Sequence, residues 1–203
     1  MRRSFLYPIP QIELSVSFLD EATDMFIKNS RVNAAEKIVS ADMKEISAFY
    51  KLITGHTNYA IHWQHRQPRS ISKAERASIR MPSIHDEMEV FCRDGWRCRY
   101  CGTRVVSRQA RKILIEEFPV ETHWVRAENE RHASLQCQAA SLDHILPHSR
   151  GGDNERENLV TACGPCQFGR NQWTLEEVGF MDPRDFPPRV DEWDGLLRLI
   201  GEK

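Results

Sequence analysis

No run in this 203-residue sequence approaches the roughly 20 consecutive apolar residues that a membrane-spanning helix needs, so no transmembrane segment is expected. The N-terminus, MRRSFLYPIP, has two arginines but neither an apolar stretch of signal-peptide length nor a small-residue cleavage site, which points to the cytoplasm. Charge of one sign is also lacking: 28 Lys/Arg face 29 Asp/Glu, a formal net charge of -1. That excludes a generic polyanion binder, so contact with nucleic acid must run through a local basic face and depend steeply on salt. No internal repeat or low-complexity tract is visible, which sets repeat architectures aside.

What is present is unevenly distributed. Residues 1–80 hold 12 Lys/Arg against 8 Asp/Glu, whereas residues 174–203 hold 4 against 8. A hydrophobic content of 40% suffices for a core, and the length suits one domain or two small ones. Six cysteines would suggest disulfides in a small secreted protein, but here four fall into two CxxC pairs, Cys98/Cys101 and Cys163/Cys166. Four thiolates complete a closed tetrahedral zinc site, so the metal is read as structural and folding as dependent on it. Cys92 and Cys137 are left over and read as small buried apolar residues.

The chain divides into a helical N-terminal region with a basic linker (1–80), a central domain (81–179) and a C-terminal packing tail (180–203). Residues 1–12 read as extended, followed by a helix from about Ser17 with Phe18, Ala22, Met25 and Phe26 on one face. A second helix is predicted over Val32–Leu52, burying Ala35, Val39, Met43, Ile46, Phe49 and Tyr50 and stopped by Gly55. From Asn58 to Ser83 the chain is polar, with Arg66, Arg69, Lys73, Arg76 and Arg80 among Trp63, His62 and His65, either a linker or a basic arm. A short helix from Ile84 to Phe91 leads to a turn at Asp94-Gly95 and the first cysteine pair, with Gly102 suited to a tight knuckle. A long insert (103–140) is predicted to hold a helix over Val105–Phe118. Strands follow at Ala139–Leu146 and Asn158–Ala162, then a helix entered through Pro165 and a T-x-x-E capping box, Thr174 to Glu177, for a short helix ending at Gly179. Trp193, Leu196, Leu197 and Ile200 read as packing residues in the tail.

Between Ser141 and Trp173 lies the densest chemistry: Asp143-His144 on the first strand, Asn158 at the second, and Gln167 beside the last cysteine. The segments RDGWRCRYCG, LDHILPHSRGGDNERENLV and ACGPCQFGR together resemble the zinc-supported form of the HNH family of ββα-metal nucleases over about residues 90–179. WTLEEVG, DPR and WDGL further on resemble an extension found in some bacterial members, while residues 1–80 carry no such resemblance. The resemblance implies an α+β fold with a ββα-metal core on a four-cysteine zinc site, and hydrolysis of DNA phosphodiester bonds to 5′-phosphate and 3′-hydroxyl ends. It makes His144 the general base and Asp143 a ligand to magnesium or manganese. It also gives Asn158 the task of holding the loop that fixes His144.

Gln167 departs from the Asn or His usual at its position; it keeps the amide oxygen on a longer arm, and Asn171, one turn on, is the alternative ligand. Arg170, where the family often has Lys, is expected to contact phosphate, and His148 is either an approach to the site or a solvent-exposed loop residue. Two rivals remain at this level: a zinc-stabilised binding module whose nuclease centre has decayed through Gln167, and a nuclease directed at RNA. Residues 1–80 suit docking of a protein partner at least as well as reading DNA.

Overall fold

Pro10 starts the first helix. The computed structural model describes residues 2–54, 70–77, 81–127 and 130–201. In it α1 runs Pro10–Ile27, seven residues ahead of the Ser17 start that periodicity suggests. A proline in the first turn loses no hydrogen bond, and its ring holds the preceding Ile9 extended at φ -81°, ψ 151°. Ile12, Val16, Leu19 and Ala22 form its buried face.

The predicted helix over Val32–Leu52 is two helices, α2 (Arg31–Ala41) and α3 (Lys44–Thr54). The break falls at Asp42, whose carboxylate accepts from the Ala133 backbone N–H at 2.6 Å and pairs with His123 Nε2 at 2.7 Å. A side chain committed to a distant segment turns the chain there and resets the helical phase. Ala34, Ile38 and Ala41 are therefore buried on α2 in place of the predicted Ala35 and Val39, and Val39 is 58% exposed. On α3, Ile46 and Phe49 are buried as read. The stop expected at Gly55 and most of the basic stretch, including Arg66, Arg69 and Arg80, lie outside the described residues. Of that stretch, residues 70–77 carry a 3-10 turn, Lys73–Glu75, closed by a Ser72–Glu75 capping box.

Next come α4 (Ile84–Arg93), capped by Ser83, α5 (Arg108–Glu117), capped by Ser107, and the short α6 (Pro119–Thr122) and α7 (Ala133–Cys137). Strands β1 (Ser141–His144) and β2 (Leu159–Ala162) pair antiparallel with Asp143 opposite Val160 and His144 opposite Leu159. Helix α8 (Gly164–Arg170) follows β2 directly. Helix α9 (Leu175–Val178) carries both bonds of the Thr174–Glu177 capping box and ends at Gly179 with φ +68°. This is an α+β arrangement in which two strands and a helix form the ββα unit.

One apolar cluster joins distant parts of the chain. It takes Phe5 and Val16 from the N-terminal region, Tyr100 and Leu142 from the centre, and Trp193 and Leu199 from the tail. Arg2 pairs through its backbone with Gly179 and Met181, and the Trp193 indole N–H donates to the Val105 carbonyl at 3.0 Å. The tail residues Trp193 and Leu196 are buried, whereas Ile200 is 42% exposed.

Candidate active site and metal centre

The cysteine pairs meet because the loop after α4 folds back onto β2. Asp94 is buried, pairs with Arg93 and accepts the Thr161 N–H at 2.8 Å, while Arg99 N–H donates to the Thr161 carbonyl at 2.8 Å. Gly102 takes φ +82° so that its N–H reaches back to the Cys98 carbonyl at 2.8 Å. The Sγ atoms of Cys98, Cys101, Cys163 and Cys166 all lie within 4.8 Å of one another, and those of Cys101 and Cys163 are 3.6 Å apart. Four sulfurs around one zinc at about 2.3 Å stand about 3.8 Å apart in a tetrahedron, so the cluster fits a zinc site. Hydrogen bonds among the sulfurs draw the Cys101 thiol down and push those of Cys163 and Cys166 up, as expected where four thiols crowd together and only a cation lets them all ionise. Cys137 is buried nearby, and burial pushes its thiol up; Cys92, expected to be buried, is exposed.

Beside this centre lies an open groove of about 800 Å³. Asp143, His144, Gln167 and Arg170 all line it, as do His148 and Asn171. Asp143 is only 7% exposed, and its carboxylate is gripped by two side chains. Arg170 Nε donates to Oδ2 at 2.7 Å, Arg170 Nη2 to Oδ1 at 2.6 Å, and the Tyr100 hydroxyl to Oδ2 at 2.9 Å. The placement corrects the expectation for Arg170, whose side chain has no exposed surface and so is not a phosphate contact. Its remaining N–H groups go to the carbonyls of Ile145, Trp173 and His144. Burial opposes its charge, but Tyr100 and Asp143 outweigh that and push its pKa up, while burial and then Asp143 raise that of Tyr100. Of the two Asp143 oxygens, Oδ2 already accepts twice and Oδ1 once, which leaves Oδ1 for a cation.

His144 is 8% exposed and its Nε2 lies 2.8 Å from Asn154 Oδ1. An amide oxygen only accepts, so this bond holds the neutral ring as its Nε2–H tautomer with a lone pair on Nδ1. Sequence reasoning does not find Asn154. Its signal is faint: one amide ten residues after the histidine, in a loop whose closure is set elsewhere. Asn158 makes that closure, with Oδ1 accepting from Leu146 N–H at 2.8 Å and Nδ2 donating to the carbonyls of Leu146 at 3.1 Å and Asp153 at 2.9 Å. Gly152 is required beneath it, since a Cβ would overlap the Leu146 carbonyl and sit 2.9 Å from Asn158 Nδ2.

Gln167 donates to the Leu142 carbonyl at 3.5 Å, and its Oε1 has no partner among the described residues. Asn171 caps α8 with φ +49° and is exposed. His148 turns its Nε2 to the Ala77 carbonyl at 2.9 Å, with its ring 6.3 Å from that of His144. For a divalent ion, Asp143 Oδ1 and Gln167 Oε1 are hard oxygen donors on one groove, and their chemistry fits.

Residues 128–167 match the family model described as HNH endonuclease. The match spans β1, the loop, β2 and the second cysteine pair up to Gln167; Cys98 and Cys101 lie before it and join it only through the fold. No curated protein and no solved structure matches the chain. Among the described residues no helix is long and apolar enough to cross a membrane.

Proposed function

We propose, on the premise that residues 128–167 form an HNH endonuclease unit, that this chain hydrolyses phosphodiester bonds in DNA with His144 as general base. The observation that carries the reading is the His144–Asn154 bond beside Asp143 in an open groove. With Nε2 committed to Asn154, the Nδ1 lone pair takes a proton from water as that water attacks phosphorus. Asn158 keeps the loop, and with it Asn154, in register with the ring. A magnesium or manganese ion on Asp143 and Gln167 would stabilise charge on the scissile phosphate and the leaving 3′ oxygen. Arg170 and Tyr100 act as positioning residues by fixing the Asp143 carboxylate. The four cysteines hold a structural zinc that ties the 98–101 knuckle to the start of α8.

One observation favours a second reading. Asp143 already has a cation against both oxygens in Arg170, as befits a zinc-stabilised DNA-binding module that no longer cuts. A plasmid-nicking assay with magnesium, manganese or nickel separates the two. On the nuclease reading His144→Ala slows nicking by about 10²-fold or more and Asn154→Ala by a smaller factor, with zinc content unchanged in both. Cleavage by His144→Ala at the wild-type rate would sink the base assignment. Wild-type protein that binds zinc and DNA but never nicks would establish the second reading, and faster cleavage of a matched RNA would move the substrate class.

A further inference from the structure

Among the described residues four arginines line the groove, and of these only Arg170 is committed to a carboxylate there. With Asp143 and Arg170 neutralising each other, Arg76, Arg108 and Arg111 face one other carboxylate among the described residues, Glu87. The groove is thus locally cationic in a chain whose net charge is -1. Arg108 and Arg111 stand at i and i+3 on α5, and neither forms an ion pair with a described residue. That sets them apart from Arg31, Arg93, Arg97, Arg104, Arg150 and Arg156, each of which pairs with an acid.

Arg111 is half-buried and held in place. Its guanidinium lies 5.3 Å from the Trp124 ring centre, and its Nη1 is 3.5 Å from the Leu135 carbonyl. Burial, and then the charges of Arg108 and Arg131, hold its pKa below the ordinary arginine range, as befits a cation without a counter-charge. The rotation of α5 is fixed from beneath by buried Ala110, Ile113 and Leu114 and by the Ser107 cap, so both arginines are presented by a rigid element. Phe168, 46% exposed on α8, lines the same groove and offers a ring on which a base can stack.

We propose that Arg108 and Arg111, in the insert and outside the stretch matched to the HNH endonuclease model, bind the phosphodiester backbone of the DNA strand that runs through the groove past His144. The proposal rests on the reading of this groove as the DNA site. A guanidinium presents a planar fork of donors that matches two phosphate oxygens, and backbone contacts position a strand without reading its sequence.

The test measures binding apart from cleavage. A short fluorescent DNA duplex is titrated into the zinc-loaded full chain carrying His144→Ala, alone and with Arg108→Ala, Arg111→Gln or both. Arg189→Ala, which removes an exposed arginine away from the groove, is the charge-matched control. The double variant should bind roughly tenfold or more weakly at about 0.1 M salt, with the log-log salt slope reduced by about 1.8, which is about 0.9 per phosphate no longer neutralised. Arg189→Ala should bind like the parent. In the chain that retains His144, the loss should appear mainly in KM. Unchanged affinity and slope in a double variant with normal zinc content and melting temperature overturns the proposal, as does an equal loss in Arg189→Ala. Because Arg111 is half-buried, Arg108→Ala alone carries the test if the double variant folds poorly, with a slope change of about 0.9. Binding that needs both arginines in a protein that never cuts would keep this surface and reject the nuclease reading; cleavage indifferent to them does the reverse.

Discussion

The Asp143–Arg170–Tyr100 cluster is where single residues matter most. Removing one member of a buried ion pair leaves the other charge uncompensated, so Arg170→Ala should destabilise the fold by about 3–5 kcal/mol, measured by urea unfolding with zinc present. Tyr100→Phe removes one hydrogen bond to a charged acceptor and should lose about 1.5–3 kcal/mol. A second residue-scale prediction concerns pH. His132 is fully buried; its Nδ1 accepts the Leu135 N–H at 3.3 Å while its Nε2 meets the Ile38 carbonyl at 2.9 Å, a pattern only the neutral ring satisfies. Burial depresses its folded-state pKa below the unfolded value of about 6.5, so below that pH the unfolded chain binds the extra proton and stability falls. Between about pH 6.5 and 5.5 this contributes at most about 1 kcal/mol, and His132→Gln, measured beside wild type with excess zinc, should lose that part of the slope. The sequence puts Asp143 and Arg170 in suggestive places, while nothing in it singles out His132. Which of them is buried, and against what, depends on residues up to 94 positions away.

At the scale of elements, local signals read well wherever the deciding interaction is local. The Thr174–Glu177 box, the Pro165 entry into α8 and the Gly95 and Gly102 turns each rest on contacts within a few residues, and all are found. The break between α2 and α3 escapes such reading because its cause, the pull of Ala133 and His123 on Asp42, comes from across the fold. Asp42→Ala should therefore destabilise the α2–α3 corner by about 1–3 kcal/mol through the unpaired Ala133 N–H, seen as faster hydrogen exchange there. Of the loop between β1 and β2 the closing residue is legible, but not the one it serves. Asn158→Ala removes three hydrogen bonds to the chain and should lower nicking together with thermal stability, whereas Asn154→Ala removes the bond to His144 and should lower nicking even when assayed well below its melting temperature.

For the molecule as a whole, the four-cysteine site and the shared apolar cluster carry the arrangement. Stripping the metal with a chelator, or Cys163→Ser, should abolish cooperative unfolding and the near-ultraviolet signal of buried Trp96 and Trp193, and zinc added back to the stripped wild type should restore both. The sequence by itself determined the chemistry: two CxxC pairs, an Asp-His strand, a closing Asn and a helix behind them, because ligand spacing, strand alternation and capping act over short separations. Only the tertiary structure decided how those groups are used. It committed Arg170 to Asp143, aimed Asn154 at His144, and turned α5 of the insert so that two arginines with no acidic partner among the described residues face the groove. The physical reason is that burial and charge pairing are set by what packs against a residue, and here the packing partners come from the N-terminal helices, the insert and the tail, far from it in the chain.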